Sequence, residues 1–220
     1  MTDEDYHQRP YERPAGATEL VLVRHGASGP LVSGETFPLL DGHSDPALAP
    51  EGEAQARALA ERLADEPIAG VFVSPLRRTA QTAAPLVART GVEPVVLGDL
   101  REVHVGEFEG VFRIRVAEQD PLVARVMAEE RWDVIPGAEP MEAFARRVRG
   151  AADAVVAAAG PDCAAVVVTH GGVIAELCRQ ATVSRAFAFI NVENASITRI
   201  VVLPDGAWVL RGYNDVSHLA

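Results

Sequence analysis

Two runs of apolar residues, far apart in the chain, each end abruptly in a histidine followed by glycine. The first run is Leu20–Gly26 (LVLVRHG) and the second is Val166–Gly172 (VVVTHGG). Short apolar runs closed by glycine are typical of the buried strands of a parallel sheet. The carboxyl ends of such strands form the edge at which α/β sheets bind ligands. The two runs therefore predict a sheet that presents a pair of imidazoles to one anionic group.

Strand and helix signals alternate along the rest of the chain. Helices are predicted over 50–64, 76–89, 140–159 and 171–180, with a further helix over 111–132 that is interrupted near Asp120-Pro121. Strands are predicted over 19–23, 70–73, 93–97 and 164–169, with a closing hairpin over 196–203 and 207–211. This order predicts an α/β three-layer sandwich, with a mainly parallel mixed central sheet flanked by helices. The segment 107–140 is expected to form a small helical cap over one end of the sheet.

The length of 220 residues suits one domain. We expect residues 1–18, which are mostly polar, to form a flexible tail and residues 19–220 to form a single domain. The net charge of −11 argues against a nucleic-acid partner. The sequence lacks a run of about 20 apolar residues and a signal-peptide pattern, so we expect no membrane partner and a cytoplasmic location. A homodimer is possible on this evidence.

All 20 basic residues are arginine. Any anion site must therefore use guanidinium groups, which bind phosphate through two parallel hydrogen bonds. Cys163 and Cys178 are the only cysteines, and we expect both to be free thiols. No His/Cys cluster has the spacing of a zinc site, so we expect neither a metal nor a cofactor.

Four strings carry the candidate chemistry. Arg24-His25-Gly26 places a cation and a possible nucleophile at a strand end, since neutral imidazole can attack phosphorus. Ser74–Ala83 (SPLRRTAQTA) opens a helix with two arginines, where the helix N-terminus already attracts anions. Taken alone, each arginine also fits a solvated surface residue.

The other two strings supply an acid and a second imidazole. Glu102, in Leu100–Gly110 (LREVHVGEFEG), is placed to act as a general acid if its surroundings raise its pKa. His170, in Thr169-His170-Gly171-Gly172, is placed to donate a hydrogen bond to a phosphoryl oxygen. A solvated loop glutamate and a core histidine are the structural alternatives for these two residues.

Together, the order and spacing of these strings resemble the histidine phosphatase superfamily, also called the phosphoglycerate mutase-like family. The resemblance runs from about Glu19 to Tyr213. It includes Ser28 two places after the first string, Asp45-Pro46-Ala47-Leu48 before the first helix, and Asn194–Thr198 near the end. The register of the second string selects Arg78 rather than Arg77 as the phosphate ligand.

The resemblance implies a metal-independent phosphomonoester hydrolase that acts on a small phosphorylated metabolite through a phosphohistidine. In this interpretation His25 is the nucleophile, Glu102 is the proton donor, and Arg24, Arg78 and His170 hold the phosphoryl oxygens. Ser28 and Gly171 complete the expected phosphate site. Leu31 stands near the place where the family often has asparagine, and the loop over 29–42 is a few residues longer than usual.

Two other functions fit the same strings. One is phosphoglycerate mutase-type phosphoryl transfer, which is disfavoured because Gly29-Pro30-Leu31 replaces the Trp-Asn of those enzymes. The other is a non-catalytic module that binds a phosphorylated ligand. The presence of all five candidate catalytic residues disfavours that function.

Overall fold

Eight strands and six α-helices follow one another in residues 9–220, the part of the chain that the computed structural model describes. The strands are β1 (Thr18–Arg24), β2 (Leu39–Leu40), β3 (His43–Ser44), β4 (Ile68–Val73), β5 (Pro94–Val96), β6 (Ala164–Thr169), β7 (Ile197–Val202) and β8 (Trp208–Asp215). The helices are α1 (Pro50–Arg62), α2 (Arg77–Thr90), α3 (Phe112–Ala117), α4 (Pro121–Glu129), α5 (Met141–Ala159) and α6 (Gly171–Thr182). The predicted alternation of strands and helices is confirmed.

The central sheet has six strands in the order β5-β4-β6-β1-β7-β8. The first four of these pair in parallel, whereas β7 pairs antiparallel with both β1 and β8. The sheet is therefore mixed and mainly parallel, as predicted. The two most apolar strands, β1 and β6, lie side by side at its centre. Central strands of a parallel sheet are covered on both faces, and aliphatic side chains suit that position.

Side chains of β1 alternate between two cores. Leu20 and Leu22 pack on one face in a cluster that includes Phe144 of α5 and Ile174 of α6. Val21 and Val23 pack on the opposite face, in a cluster that includes Leu59 of α1 and Leu86 of α2. Because successive residues of a strand point to opposite faces, this alternation produces the predicted three layers.

The predicted helical cap is made of α3, α4 and a short 3-10 helix at Trp132–Val134. Its interruption falls where expected, since Pro121 begins α4 and the side chain of Asp120 accepts a hydrogen bond from the Leu122 amide. Aromatic residues of the cap pack on one another. The rings of Phe112 and Trp132 have centroids 6.1 Å apart, and those of Trp132 and Phe187 are 5.0 Å apart.

A small hairpin lies inside a segment that we expected to be a loop. Strands β2 and β3 pair around Asp41 and Gly42, which have φ of 48° and 84°. Two central residues at positive φ are what a type I′ turn requires, and Asp-Gly is a preferred sequence for it. The hairpin is relevant to the site because β3 carries His43 and Ser44 to the edge of the sheet.

Residues 1–8 of the expected tail lie outside the described residues, and the flexibility of the tail stays a prediction. Within residues 9–17, the Arg13 guanidinium donates to the carbonyls of Asp162 and Cys163 at 2.7 and 2.9 Å. Cys163 and Cys178 are free thiols, as predicted. Over residues 9–220, no helix combines the length and the apolar character needed to cross a membrane.

Candidate active site

The carboxyl ends of β1 and β6 bring the two predicted histidines together. Arg24 and Thr169 are paired in the parallel register, so the residues that follow them, His25 and His170, are neighbours. Their ring centroids are 5.3 Å apart and their planes make an angle of 62°. Both side chains are buried, with 7% and 0% of their surface exposed. The structure therefore places the two imidazoles side by side, with His170 fully buried behind His25.

His25 is held as a neutral imidazole with one free nitrogen. Its Nδ1 lies 2.8 Å from the carbonyl oxygen of Gly26, which can only accept, so Nδ1 carries the proton. Burial, reinforced by Arg78 and Arg24 nearby, holds the pKa of His25 well below its usual value. The side-chain amide of Asn194 donates to the His25 carbonyl at 2.9 Å and fixes the backbone. Nε2 therefore keeps its lone pair, which is what a nucleophilic histidine requires.

His170 is held in the opposite tautomer. Its Nδ1 lies 3.1 Å from an Arg78 guanidinium nitrogen, which can only donate, so Nδ1 accepts. Its Nε2 carries the proton and donates to the Ser74 hydroxyl at 2.8 Å. Ser74 is fully buried, and its hydroxyl also lies 3.1 Å from that of Thr79. Burial and then Arg78 lower the pKa of His170 well below its usual value.

The two adjacent arginines of α2 point to different surroundings. Arg78 is 6% exposed, and it donates both to His170 and to the Ser44 carbonyl, the latter at 2.7 Å. Burial lowers the pKa of Arg78 to about 10, so it stays charged at neutral pH. Arg77 lies outside the cleft and pairs with Asp45, whose carboxylate also accepts from the Arg77 amide at 2.8 Å. Asp45 thereby supplies the cap that Leu76, at the start of α2, cannot provide.

Part of the Arg24 guanidinium is hydrogen-bonded to the protein, and part of it has no hydrogen-bond partner within residues 9–220. One terminal nitrogen donates to the Val192 carbonyl, and the buried Nε has no partner among the described residues. Burial lowers the pKa of Arg24. Arg24 also lines both cavities at this edge of the sheet, so the remainder of its guanidinium is available to an anion there.

Glu102 is fixed by two backbone amides, and a glycine makes room for it. One carboxylate oxygen accepts from the Val103 amide at 2.9 Å and the other from the Gly172 amide at 3.0 Å. Gly172 lies in the first turn of α6, where the N–H groups attract negative charge. A Cβ at Gly172 would overlap the Glu102 carboxylate, so only glycine lets the acid approach this closely.

The remaining predicted residues lie around the same edge. Ser28 accepts a hydrogen bond from an Arg113 guanidinium nitrogen at 2.7 Å, and both residues line a small cavity beside His25. Gly171 begins α6 and lines the main cleft. Gly26 has a role that the sequence did not reveal. A Cβ there would lie 2.6 Å from the Gly52 carbonyl oxygen, so glycine is needed for contact with α1.

Four further residues reach the site without having been predicted, namely His43, Ser44, Glu109 and Arg113. Glu109 accepts from the Ser44 amide at 2.7 Å and from its hydroxyl at 2.5 Å, which ties the β2–β3 hairpin to the cap. The Asp41-Gly42 turn was the signal that could have placed His43 and Ser44 there. No local signal marks Arg113, because its role depends on where the cap folds over the sheet.

The cleft at this edge has two lobes that share four lining residues. A larger lobe of about 320 Å³ reaches Glu102, and a smaller one of about 140 Å³ reaches His25. Both are lined by Arg24, Ser44, Arg78 and Phe112. Among residues 9–220, no group of three or more His, Cys, Asp or Glu side chains is arranged to hold a metal ion.

Known proteins share this arrangement of fold and motifs. The family model of the histidine phosphatase superfamily (branch 1) matches residues 20–216. A metal-independent phosphoserine phosphatase of Arabidopsis thaliana is 34% identical over 209 residues, covering 92% of this chain and 84% of the relative. Phosphoglycerate mutase-like protein 4 of the same plant is 33% identical over 205 residues, covering 91% and 86%.

Among solved structures, a mycobacterial glucosyl-3-phosphoglycerate phosphatase is 30% identical, with a TM-score of 0.74. The alignment covers 90% of this chain and 99% of that protein. The family model and the relatives therefore agree with the resemblance found in the four sequence strings. The chain belongs to the histidine phosphatase superfamily.

Proposed function

We propose that this protein is a phosphomonoester hydrolase that acts on a small phosphorylated metabolite through a phosphohistidine formed on His25. The observation that carries the proposal is the state of His25, which is neutral, protonated on Nδ1 and free on Nε2. The phosphatase names of the relatives support hydrolysis. The name of the Arabidopsis relative also supports a reaction without a metal.

The phosphoryl group binds where the two lobes meet. Arg24 offers a guanidinium that lines both lobes, and Arg78 offers one with a fixed position. His170 needs a proton on Nδ1 before it can donate to a phosphoryl oxygen, and a bound dianion favours that charged form. Ser28 completes the phosphate site from the smaller lobe, and the amide of Gly171 completes it from the larger lobe.

The reaction proceeds in two steps. In the first step, Nε2 of His25 forms a bond to phosphorus while the bond to the leaving oxygen breaks, and the Glu102 carboxyl group protonates that oxygen. In the second step, the Glu102 carboxylate takes a proton from water as the water oxygen bonds to phosphorus. The N–P bond breaks, which releases phosphate and restores neutral His25.

The test combines trapping of the intermediate with a leaving-group comparison. Acid-labile, base-stable phosphate should be found on the denatured wild-type protein after brief incubation with labelled substrate, and be absent in His25→Ala. Glu102→Gln should slow hydrolysis of an alkyl phosphate by about 10²–10⁴-fold. It should slow formation of the phosphohistidine from p-nitrophenyl phosphate much less, because that leaving group departs without protonation.

Glu107→Gln is the matched control for the acid, since Glu107 is exposed in the same loop. Full activity in His25→Ala would overturn the covalent mechanism. Equal slowing of both substrates in Glu102→Gln would mean that Glu102 positions other groups instead of donating a proton. Transfer of the labelled phosphate to a phosphoglycerate acceptor faster than to water would favour the mutase alternative.

A further inference from the structure

The two lobes of the cleft divide the reaction between them. The smaller lobe is lined by His25 and not by Glu102, whereas the larger lobe is lined by Glu102 and not by His25. In an in-line displacement at phosphorus, the leaving oxygen departs opposite the attacking atom. The phosphoryl group at their junction therefore directs the leaving alcohol into the larger lobe, beside the acid that protonates it.

The charged groups of the larger lobe are unfavourable for an anionic alcohol. Its only described cations are Arg24 and Arg78, both of which are assigned to the phosphoryl group. It also contains the carboxylate of Glu109, and Glu102, which becomes a carboxylate as it protonates the leaving oxygen. His43 completes the ionisable set, and burial lowers its pKa, which favours the neutral form. A carboxylate or a second phosphate on the alcohol would face Glu109 in the bound ester, and both Glu109 and Glu102 after proton transfer, without a cation of its own.

A cation does stand nearby, but on the opposite side. Arg113 lines the smaller lobe, where it donates to the Ser28 hydroxyl at 2.7 Å and to the Gly29 carbonyl at 2.8 Å. Its guanidinium also lies 5.2 Å from the centre of the Phe37 ring. These contacts hold the charge on the nucleophile side of the phosphoryl group, away from the leaving alcohol.

The rest of the larger lobe is an apolar wall, formed by Val103, Val105, Phe112, Trp132 and Ile190. Val103 and Val105 are buried in the main core, and the Phe112 and Trp132 rings pack edge to face in the cap. The wall is thus supported from behind and presents a rigid apolar surface. A flat or branched apolar group that covered it would release water from both surfaces.

We propose that the preferred substrates are phosphomonoesters of uncharged, apolar alcohols, with an aromatic or branched aliphatic body that packs on Trp132 and Ile190. This proposal rests on the proposed phosphatase function and specifies its substrate class. It separates this chain from an enzyme built for phosphorylated hydroxy acids, because the only described cations of the larger lobe, Arg24 and Arg78, are assigned to the phosphoryl group.

The experiment compares two primary alkyl phosphates that differ only in the distal group. One is 2-phenylethyl phosphate, and the other is 3-phosphonooxypropionate, which has a carboxylate in place of the ring. The wild type should hydrolyse the phenyl ester with a kcat/KM at least about tenfold higher, the factor expected from partial burial of one aromatic ring. Ethyl phosphate, which is small and uncharged, serves as the reference for the chemical step.

Two variants test the wall itself. Trp132→Ala should lower kcat/KM for the phenyl ester by about tenfold while leaving ethyl phosphate nearly unchanged. The matched control is Trp208→Ala, because Trp208 is the only other tryptophan and lies on the edge strand β8. Ile190→Arg, which adds a cation to the wall, should raise the activity on 3-phosphonooxypropionate relative to the phenyl ester.

Equal or higher wild-type activity on 3-phosphonooxypropionate would overturn the substrate class. In that case the phosphatase function would stand, as long as His25→Ala abolishes turnover of both esters. A loss in Trp132→Ala that is the same for ethyl phosphate would also overturn the proposal, because it would show a general structural effect. If the wild type hydrolysed none of the three esters, both the function and the substrate class would be wrong.

Discussion

Replacing Gly172 by alanine should move the catalytic acid without disturbing the fold. A Cβ built at Gly172 would lie 3.2 Å from Cδ of Glu102 and closer still to one carboxylate oxygen, whereas ordinary contacts begin at 3.4 Å. The carboxylate must therefore withdraw by a distance on the order of 1 Å, which also breaks its hydrogen bond to the Gly172 amide. Misplacement of this size costs about 10²-fold in rate when the group acts in the transition state.

The expected result depends on the substrate. kcat for 2-phenylethyl phosphate should fall by about 10²-fold in Gly172→Ala, because the departing alkoxide needs its proton. Formation of the phosphohistidine from p-nitrophenyl phosphate, followed as a burst in stopped flow, should fall much less. The melting temperature should not decrease, since the displaced atoms end a flexible side chain and alanine favours a helix over glycine by up to about 1 kcal/mol.

Gly150→Ala is the control for helix propensity, because Gly150 lies within α5 and a Cβ there meets no atom within 4 Å. It should change neither rate. Alkyl phosphate turnover within about twofold of wild type in Gly172→Ala would refute the reasoning, because the position of the carboxylate would then not limit the reaction. An equal loss on both substrates would show that Gly172 acts through phosphate binding.

Three other results are expected. A bound vanadate should contact Arg78 and not Arg77. Arg78→Ala should therefore raise the vanadate Kd by at least about tenfold, whereas Arg77→Ala should leave it unchanged. The reverse result would show that the second string had been aligned one residue out of register. Ser74→Ala removes the hydrogen bond that orients the His170 ring, so it should lower kcat and shift the acid limb of the kcat–pH profile. Ser74→Thr, which keeps a hydroxyl, should recover part of the loss. An unshifted profile would assign Ser74 a packing role only. The free energy of unfolding should fall as the pH drops below about 6.5, by up to about 1.4 kcal/mol per pH unit for each of the two buried histidines, because the unfolded chain binds protons that the folded chain excludes. Urea titrations of wild type and of His25→Ala at about pH 7 and about pH 5.5 would measure this, and an identical slope in both would contradict it.

The sequence was most informative where the conformation of a strand or helix is set by the residues within that strand or helix. The apolar runs of β1 and β6 could be recognised because strands buried on both faces need little else than aliphatic side chains. In the structure, Pro121 begins α4 and Gly91, in the left-handed conformation, ends α2, for reasons of backbone geometry that act locally. Because parallel strands end at one edge, the pairing of His25 with His170 also followed from two short strings.

The sequence indicated which residues gather at the candidate site, but not their protonation states. The neutral tautomers of His25 and His170 depend on a carbonyl, a guanidinium and a hydroxyl contributed by separate parts of the chain. The choice between Arg77 and Arg78 came from family resemblance at first, and its physical reason is the burial of Arg78 and the pairing of Arg77 with Asp45. Such effects arise only when distant segments exclude water together.

The sequence by itself determined the layer order of the fold, the sheet edge that carries the site and the chemical type of the groups gathered there, because periodicity and strand ends are properties of short segments. Only the tertiary structure decided the shape and charge of the space beyond the phosphoryl group. Trp132, Ile190 and Arg113 have no local pattern that marks them, and their positions depend on how the cap and the loops fold over the sheet. We expect substrate preference to depend on those contacts between distant segments, so the four strings indicate the reaction and not the alcohol that leaves.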